Sequence, residues 1–279
     1  MRTLLLTELY KIGTRPRSYI GFVAITAIVL LIELALWLDG EAYIGFILQS
    51  LEQSFDVQGR ILNGQLVAFV ILQTLIVQMP LLVALISGDL ISGEAAAGTI
   101  RLLMTRPYTR GEVLWAKFTA ASIYVFLLIL WLGLLALGGG MLFFGGGDLI
   151  VLKSDGLIIL KEADTLWRFF AAFGISFLSL SVVSTFSLML SCFTDNSIGP
   201  IIASMAVIIL FTIIGTLEVP LFERITPFLF TTHMIVWRNL FDFPLDIPLL
   251  LRSSAVLVGH ILVFLGISFY HFSKKDIQH

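Results

Sequence analysis

The chain has 279 residues, of which 58% are hydrophobic and 13% charged, and its mean hydropathy is +1.00. A soluble core of this size cannot bury so much apolar surface, which excludes one or two ordinary soluble domains. The net charge of −2 gives no reason to expect a nucleic-acid partner, and the single cysteine, Cys192, excludes a disulfide framework. Apolar runs of about 20 residues instead predict an all-α polytopic membrane protein, with one transmembrane domain over residues 1–279.

Residues 1–18 are predicted to form an amphipathic helix on the membrane surface. Its charged positions, Arg2, Glu8 and Lys11, alternate with leucine and isoleucine. Pro16 is predicted to end this helix, because proline disfavours helical geometry at the residue before it.

Six membrane spans follow. Their predicted bounds are 19–38, 66–87, 114–144, 167–191, 198–217 and 253–272. The third is long for one crossing, so it should tilt or extend beyond the membrane. The glycines of Gly138–Gly147 are expected to end or loosen its helix.

The distribution of Lys and Arg predicts the orientation. With both termini cytoplasmic, ten basic residues lie inside and seven lie in the longer outer loops. The inner ones are Arg2, Lys11, Arg15, Arg17, Arg101, Arg106, Arg110, Lys117, Lys274 and Lys275. We therefore expect a multi-pass protein of the plasma (inner) membrane of a prokaryote, with both termini in the cytoplasm.

The outer segment before the sixth span, residues 218–252, is apolar but contains four prolines. It is too broken to span and too apolar for a free loop, which predicts short helices that re-enter the outer leaflet or cap the bundle. Its aromatic residues are expected to form an interfacial belt. They are Phe222, Phe228, Phe230, Trp237, Phe241 and Phe243.

A polar segment, Gly93–Val113, separates the second and third spans; we call it the island. Ser92 is predicted to be an N-cap for a short helix from Glu94 to Met104, lying across the ends of the spans. Pro107 should end that helix and set a turn. The pattern Thr109-x-x-Glu112 predicts a capping box that begins the next helix.

The island has two interpretations. Its arginines could orient the flanking spans and hold lipid phosphates, which requires charge alone. A helix that docks a cytoplasmic partner would also require the Gly98-Thr99 step and the turn at Pro107. The construction of the island favours docking.

The island resembles the coupling-helix region of the type-2 exporter family of ABC transporter permeases. The shared string is E-x-x-x-G-T-[IL]-x-x-[LM]-[LM]-x-x-P-x-x-R, which runs here from Glu94 to Arg110. The resemblance extends to the layout of a surface helix, six spans, this loop and a re-entrant segment before the last span.

The resemblance implies that loop 88–112 docks on a separate ATPase subunit. The coupling residues would be Glu94, Gly98, Thr99, Arg101, Arg106, Pro107 and Arg110. It further implies two ATPase copies, which bind ATP and Mg, and a second permease copy, identical or different, among membrane lipids. The chain has no G-x-x-x-x-G-K-[ST] motif, so we expect it to bind no cofactor and to be no enzyme itself.

Polar residues inside the spans are candidates for a translocation pathway or gate. They are Glu33 in the first span, Gln73 and Gln78 in the second, and Ser184 in the fourth. Glu33 could instead reach the outer interface. Ser184 belongs to a run of small polar residues that favours close helix packing over a polar conduit.

Two functions from other classes stay open at this point. A scaffold or sensor that docks a cytoplasmic partner without transport would have the same kind of loop. An integral membrane enzyme acting on lipid is less favoured, because the sequence clusters no His, Asp and Glu at one interface.

Overall fold

The computed structural model describes residues 1–48, 61–105, 107–153, 156–217 and 219–275. Within this part of the chain, five helices are long and apolar enough to cross a membrane, or six if a bent pair counts as one span. The prediction of a helical membrane protein is confirmed.

The surface helix α1 spans Arg2–Thr14, and α2 begins at Pro16. Arg15, between them, is extended, as expected for a residue before proline. The helices of the predicted spans are α2 (Pro16–Leu48), α3 (Gly64–Leu75) with α4 (Met79–Ser87), α7 (Arg110–Gly133), α9 (Glu162–Phe193), α10 (Gly199–Thr216) and α13 (Ile247–Lys274). Helix α9 lies at the centre and contacts α4, α7, α10 and α13. Helix α2 is kinked at Asp39.

The second span is not one straight helix. Helices α3 and α4 meet at an angle of 51°, and Pro80 stands at the start of α4. Proline is tolerated in the first turn of a helix but not in its interior, so the chain breaks before it and restarts.

The third span continues past α7 as a π-helix, Leu134–Gly139, and then α8, Gly140–Phe144. It ends at Gly145, whose φ of 77° only glycine adopts without strain. The predicted loosening and ending of this helix at its glycines are confirmed.

A β-hairpin follows, which the sequence analysis missed. Strand β1 (Leu149–Lys153) pairs antiparallel with β2 (Gly156–Leu160), with Leu149 opposite Leu160. The all-α prediction therefore holds for the spans but not for the loop between the third and fourth spans.

The outer segment forms short helices, as predicted. They are α11 (Pro220–Glu223), a 3₁₀ turn (Thr226–Phe228), α12 (Phe230–Met234) and a second 3₁₀ helix (Val236–Phe241). The belt prediction is wrong for Phe230, Trp237 and Phe241, which are fully buried in the core. Arg168 of α9 explains this, because its guanidinium donates to the carbonyls of Leu240 and Asp242 and holds the segment against α9.

Four segments meet at the opposite end of the bundle. They are α1, the island, the connection between α9 and α10, and the end of α13. We call this the charged end, since most of the chain's ion pairs among described residues lie there.

Candidate functional site

Four charged side chains at the charged end form a closed ion-pair ring: Glu8, Lys11, Glu94 and Lys117. The Lys11 ammonium lies 2.7 Å from Glu8 Oε1 and 2.7 Å from Glu94 Oε1. The Lys117 ammonium lies 3.0 Å from Glu8 Oε2 and 2.9 Å from Glu94 Oε2. Each carboxylate therefore bridges both lysines, and the ring joins α1, the island and α7 with no net charge.

The ring is buried. Lys117 is fully inaccessible and Glu8 and Glu94 nearly so, while Lys11 remains one-third exposed. Lys117 also donates to the carbonyl of Leu90, which continues the connection to the start of the island. Removing one member would leave one net charge uncompensated in this buried ring, which is strongly destabilising.

The ring shifts the pKa of two of its members, Glu94 and Lys11. Burial alone would raise the pKa of the Glu94 carboxyl, but the charge of Lys117 and the hydrogen bond from Lys11 outweigh it and hold this pKa below its usual value. Burial likewise opposes the charge of Lys11, but hydrogen bonds to Glu8 and Glu94 raise the pKa of its ammonium. Both groups are therefore charged at neutral pH.

A second cluster lies beside the ring, around Asp89. Its Oδ2 is 3.0 Å from Arg15 Nη1, its Oδ1 is 3.4 Å from Arg17 Nη1, and the Ser197 hydroxyl donates to the same carboxylate. Gly93 lies against this carboxylate, and a Cβ there would collide with it. The α1–α2 junction, the start of the island and the α9–α10 connection thus share one anchor.

The island itself differs from its prediction. It holds two short helices, α5 (Ser92–Ala96) and α6 (Thr99–Met104), rather than one helix from Glu94 to Met104. Gly98 separates them with a φ of 69°, which a helix cannot contain. The Ser92 N-cap prediction is also wrong, because Ser92 is already helical and its hydroxyl donates to the carbonyl of Gly88.

Part of the island faces outward among the described residues. Residues 96–99 and Leu102 are exposed, while Glu94 and Ile100 point into the protein. We call residues 96–99 with Leu102 the tip. The exposed Pro107 follows α6, and the capping box at Thr109 and Glu112 is present as predicted. Arg101 lies on α6, and Arg106 lies outside the described residues.

Arg110 binds within this chain. Its Nη1 donates to the carbonyls of Phe272, Ser273 and Lys275 at 3.3, 2.8 and 2.7 Å, and so caps the end of α13. The Lys275 ammonium in turn binds the carbonyl of Cys192 at 3.2 Å at the end of α9. Cations suit helix C-termini because the last carbonyls carry partial negative charge.

The candidate pathway residues lie in three different surroundings. Gln73 and Gln78 are exposed near the bend between α3 and α4. The Ser184 hydroxyl is buried 2.7 Å from that of Ser87, so it packs α9 against α4. Glu33 is buried against Gly139 of the π-helix.

Sequence reasoning missed three of the four ring members. The sequence analysis uses Lys117 only as a charge that orients the spans. A lysine eight residues into a membrane-spanning helix is itself a signal of a buried charge partner. Glu8 and Lys11 are predicted only as charged positions of an amphipathic surface helix, and nothing in the spacing of Glu8 indicates a partner 109 residues away. Among the described residues, no three His, Cys, Asp or Glu side chains lie close enough together to hold a metal ion.

The long apolar helices, with charged clusters gathered at one end, define a helical membrane-embedded protein. A family model described as "Protein of unknown function (DUF2705)" matches residues 25–278, so the chain belongs to that family. No curated protein matches the chain.

Proposed function

We propose that this chain is the transmembrane permease subunit of an ATP-driven exporter of the ABC type, and that it receives force from a separate ATPase through the island. The observation that carries the proposal is the combination of an exposed tip with a buried ring directly behind it. The sequence string shared with coupling helices points to the same segment.

The ring provides a route for mechanical coupling. Glu94 precedes the exposed tip by only two residues and is ion-paired with Lys11 of α1 and Lys117 of α7. A buried ion pair cannot be separated without leaving a charge unpaired in the interior, so these elements should move together. Closure of the ATPase against the tip would then displace α7.

A second connection runs to α9 from the two residues just before the island. The Ser191 hydroxyl oxygen accepts from the backbone N–H groups of Ile91 and Ser92 at 3.2 and 2.8 Å. Since α9 is the central helix, motion of the island would reach the core of the bundle as well as its edge.

Cross-linking from the tip tests the proposal. Cys192 is buried, so a cysteine introduced by Thr99→Cys would be the reactive thiol, and Thr14→Cys supplies a matched exposed position on α1. We expect Thr99→Cys to cross-link to a P-loop ATPase in membranes of the native host, and Thr14→Cys to do so far less.

If the wild-type chain is isolated as a stable complex that contains no P-loop ATPase, the proposal is overturned. Cross-linking of Thr99→Cys to a protein without a P-loop would favour the scaffold or sensor instead. Leu102→Asp allows the proposal to be tested by a transport assay, because Leu102 is 69% exposed and its replacement leaves the ring intact. We expect ATP-dependent export to fall in Leu102→Asp and to persist in Thr14→Asp.

A further inference from the structure

Glu33 is a buried carboxylate for which the described residues provide no partner. Its side chain is 5% exposed and its Oε1 has no hydrogen-bond donor. An unpaired charge within a membrane span is costly, so such residues generally mark a ligand, ion or proton site. The ring shows that this chain can pair buried carboxylates where it uses them for structure.

The third span is shaped to receive this carboxylate. Gly139, in the π-helix, lies so close that a Cβ there would be 2.6 Å from Glu33 Oε1. Single turns of π-helix inside α-helices occur frequently at functional sites. The wider turn and the missing side chain together leave space for the Glu33 head group.

Glu33 lies at the floor of an apolar groove. The groove has a volume of about 440 Å³ and is lined by Leu30, Glu33, Leu34, Trp37 and Phe143. Its size falls within the range of about 300–1,000 Å³ that is typical of small-molecule sites. The four apolar side chains are more than half exposed, so the groove is open at the surface of the bundle.

The chemistry of the lining selects a cation attached to an apolar chain. A carboxylate binds a cation, and the rings of Trp37 and Phe143 at the rim add attraction for positive charge. The leucines suit an alkyl chain. Glu33 precedes the kink at Asp39 by six residues, or about 9 Å of helix, which places the groove near one membrane interface.

We propose that the Glu33 groove binds a cationic amphiphile, with the ammonium group on Glu33 and the alkyl chain along Leu30 and Leu34. The inference rests on the proposed export function at one point only, namely that the bound amphiphile is the substrate that is exported. Binding itself requires neither the ATPase nor transport.

Fluorescence quenching of the isolated chain in dodecyl maltoside micelles tests the site. The probe is a nitroxide-bearing dodecylammonium, compared with an uncharged nitroxide amide of the same chain length. Nitroxides quench nearby indoles, and subtraction of the curve of Trp37→Phe gives the contribution of Trp37. We expect the cationic probe to quench Trp37 at a much lower concentration than the uncharged probe.

Matched variants identify the carboxylate. Glu33→Gln should raise the half-quenching concentration of the cationic probe roughly tenfold, as loss of a charge-assisted contact does. Glu223→Gln removes an exposed carboxylate elsewhere and should leave it unchanged. Gly139→Ala retains the charge but displaces the Glu33 head group, so it should weaken binding even if Glu33→Gln folds poorly.

Equal quenching by both probes, or an unchanged cation curve in both Glu33→Gln and Gly139→Ala, would overturn the proposal. Because no ATPase is present, failure here leaves the exporter proposal standing. Conversely, failure of tip cross-linking leaves this binding site standing.

Discussion

The ion-pair ring and the Glu33 groove both bury carboxylates, but their surroundings are opposite. Glu8 and Glu94 each contact two ammonium groups, whereas Glu33 faces a glycine and an apolar groove. Burial of charge is therefore not by itself a sign of a binding site. The sign is burial without a partner, and here it separates a structural connection from a candidate ligand site.

The largest expected effect tests the structural side of this comparison. Lys117→Met leaves Glu8 and Glu94 with Lys11 as their shared cation, and should lower the free energy of unfolding by about 3–5 kcal/mol. Thermal unfolding in detergent measures the change. The exposed Lys274→Met is the control and should change little. If the two variants unfold alike, the ring does not stabilise the fold.

Acid should weaken the ring next. The pKa of Glu94 lies below its ordinary value of 4.5, so its stabilisation is present above that value and is lost as the pH falls through the lowered pKa. The pKa of Lys11 is raised above 10.5, so the stabilisation that its ammonium contributes is present below pH 10.5 and is lost as the pH rises through the raised pKa. We expect the melting temperature to fall at both extremes. Glu94→Gln should lower the melting temperature at neutral pH and make it depend less on pH in acid. If the fall of the melting temperature in acid is the same as in the wild type, Glu94 is not the group that titrates.

Arg110→Ala should have a smaller effect, because Arg110 is partly exposed and water can replace some of its hydrogen bonds. We expect a loss of about 1–2 kcal/mol, with faster hydrogen exchange confined to the last turn of α13. Arg2→Ala removes an exposed arginine with no such role and serves as control. Unchanged exchange in α13 would show that the cap contributes nothing.

Glu33→Gln should have the smallest effect on stability, in contrast to the same substitution in the ion-pair ring. The same substitution costs stability at Glu94, where it breaks two ion pairs. At Glu33 it changes a carboxylate whose Oε1 has no hydrogen-bond donor among the described residues, so the melting temperature of the ligand-free chain should stay the same or rise. A clear fall would mean that Glu33 has a structural partner and would weaken the binding proposal.

Some local signals in the sequence predicted local structure correctly. The capping box of Thr109 and Glu112 and the break before Pro16 depend on neighbours within three residues, and both are present. The β-hairpin also had a local signal that went unused. An Asp155-Gly156 step between two apolar runs is typical of a hairpin turn.

Non-local partners could not be predicted in this way. The contact of Lys117 with Glu8 depends on how α1 docks on α7, and the hydrogen bond from Arg168 to the Leu240 carbonyl joins residues 72 positions apart. Hydropathy marks which segments enter the membrane but not which face meets which neighbour. A lone sequence therefore identified Glu94 as important while assigning it to the surface.

The order in which the chain is synthesised gives the ring and the Arg110 cap different histories. All four ring members lie within the first 117 residues, so a nascent chain that has just released α7 already holds every charge of the ring. The carbonyls that Arg110 binds come from residues 272–275. During synthesis, Arg110 must therefore wait for more than half of the protein before it can bind α13.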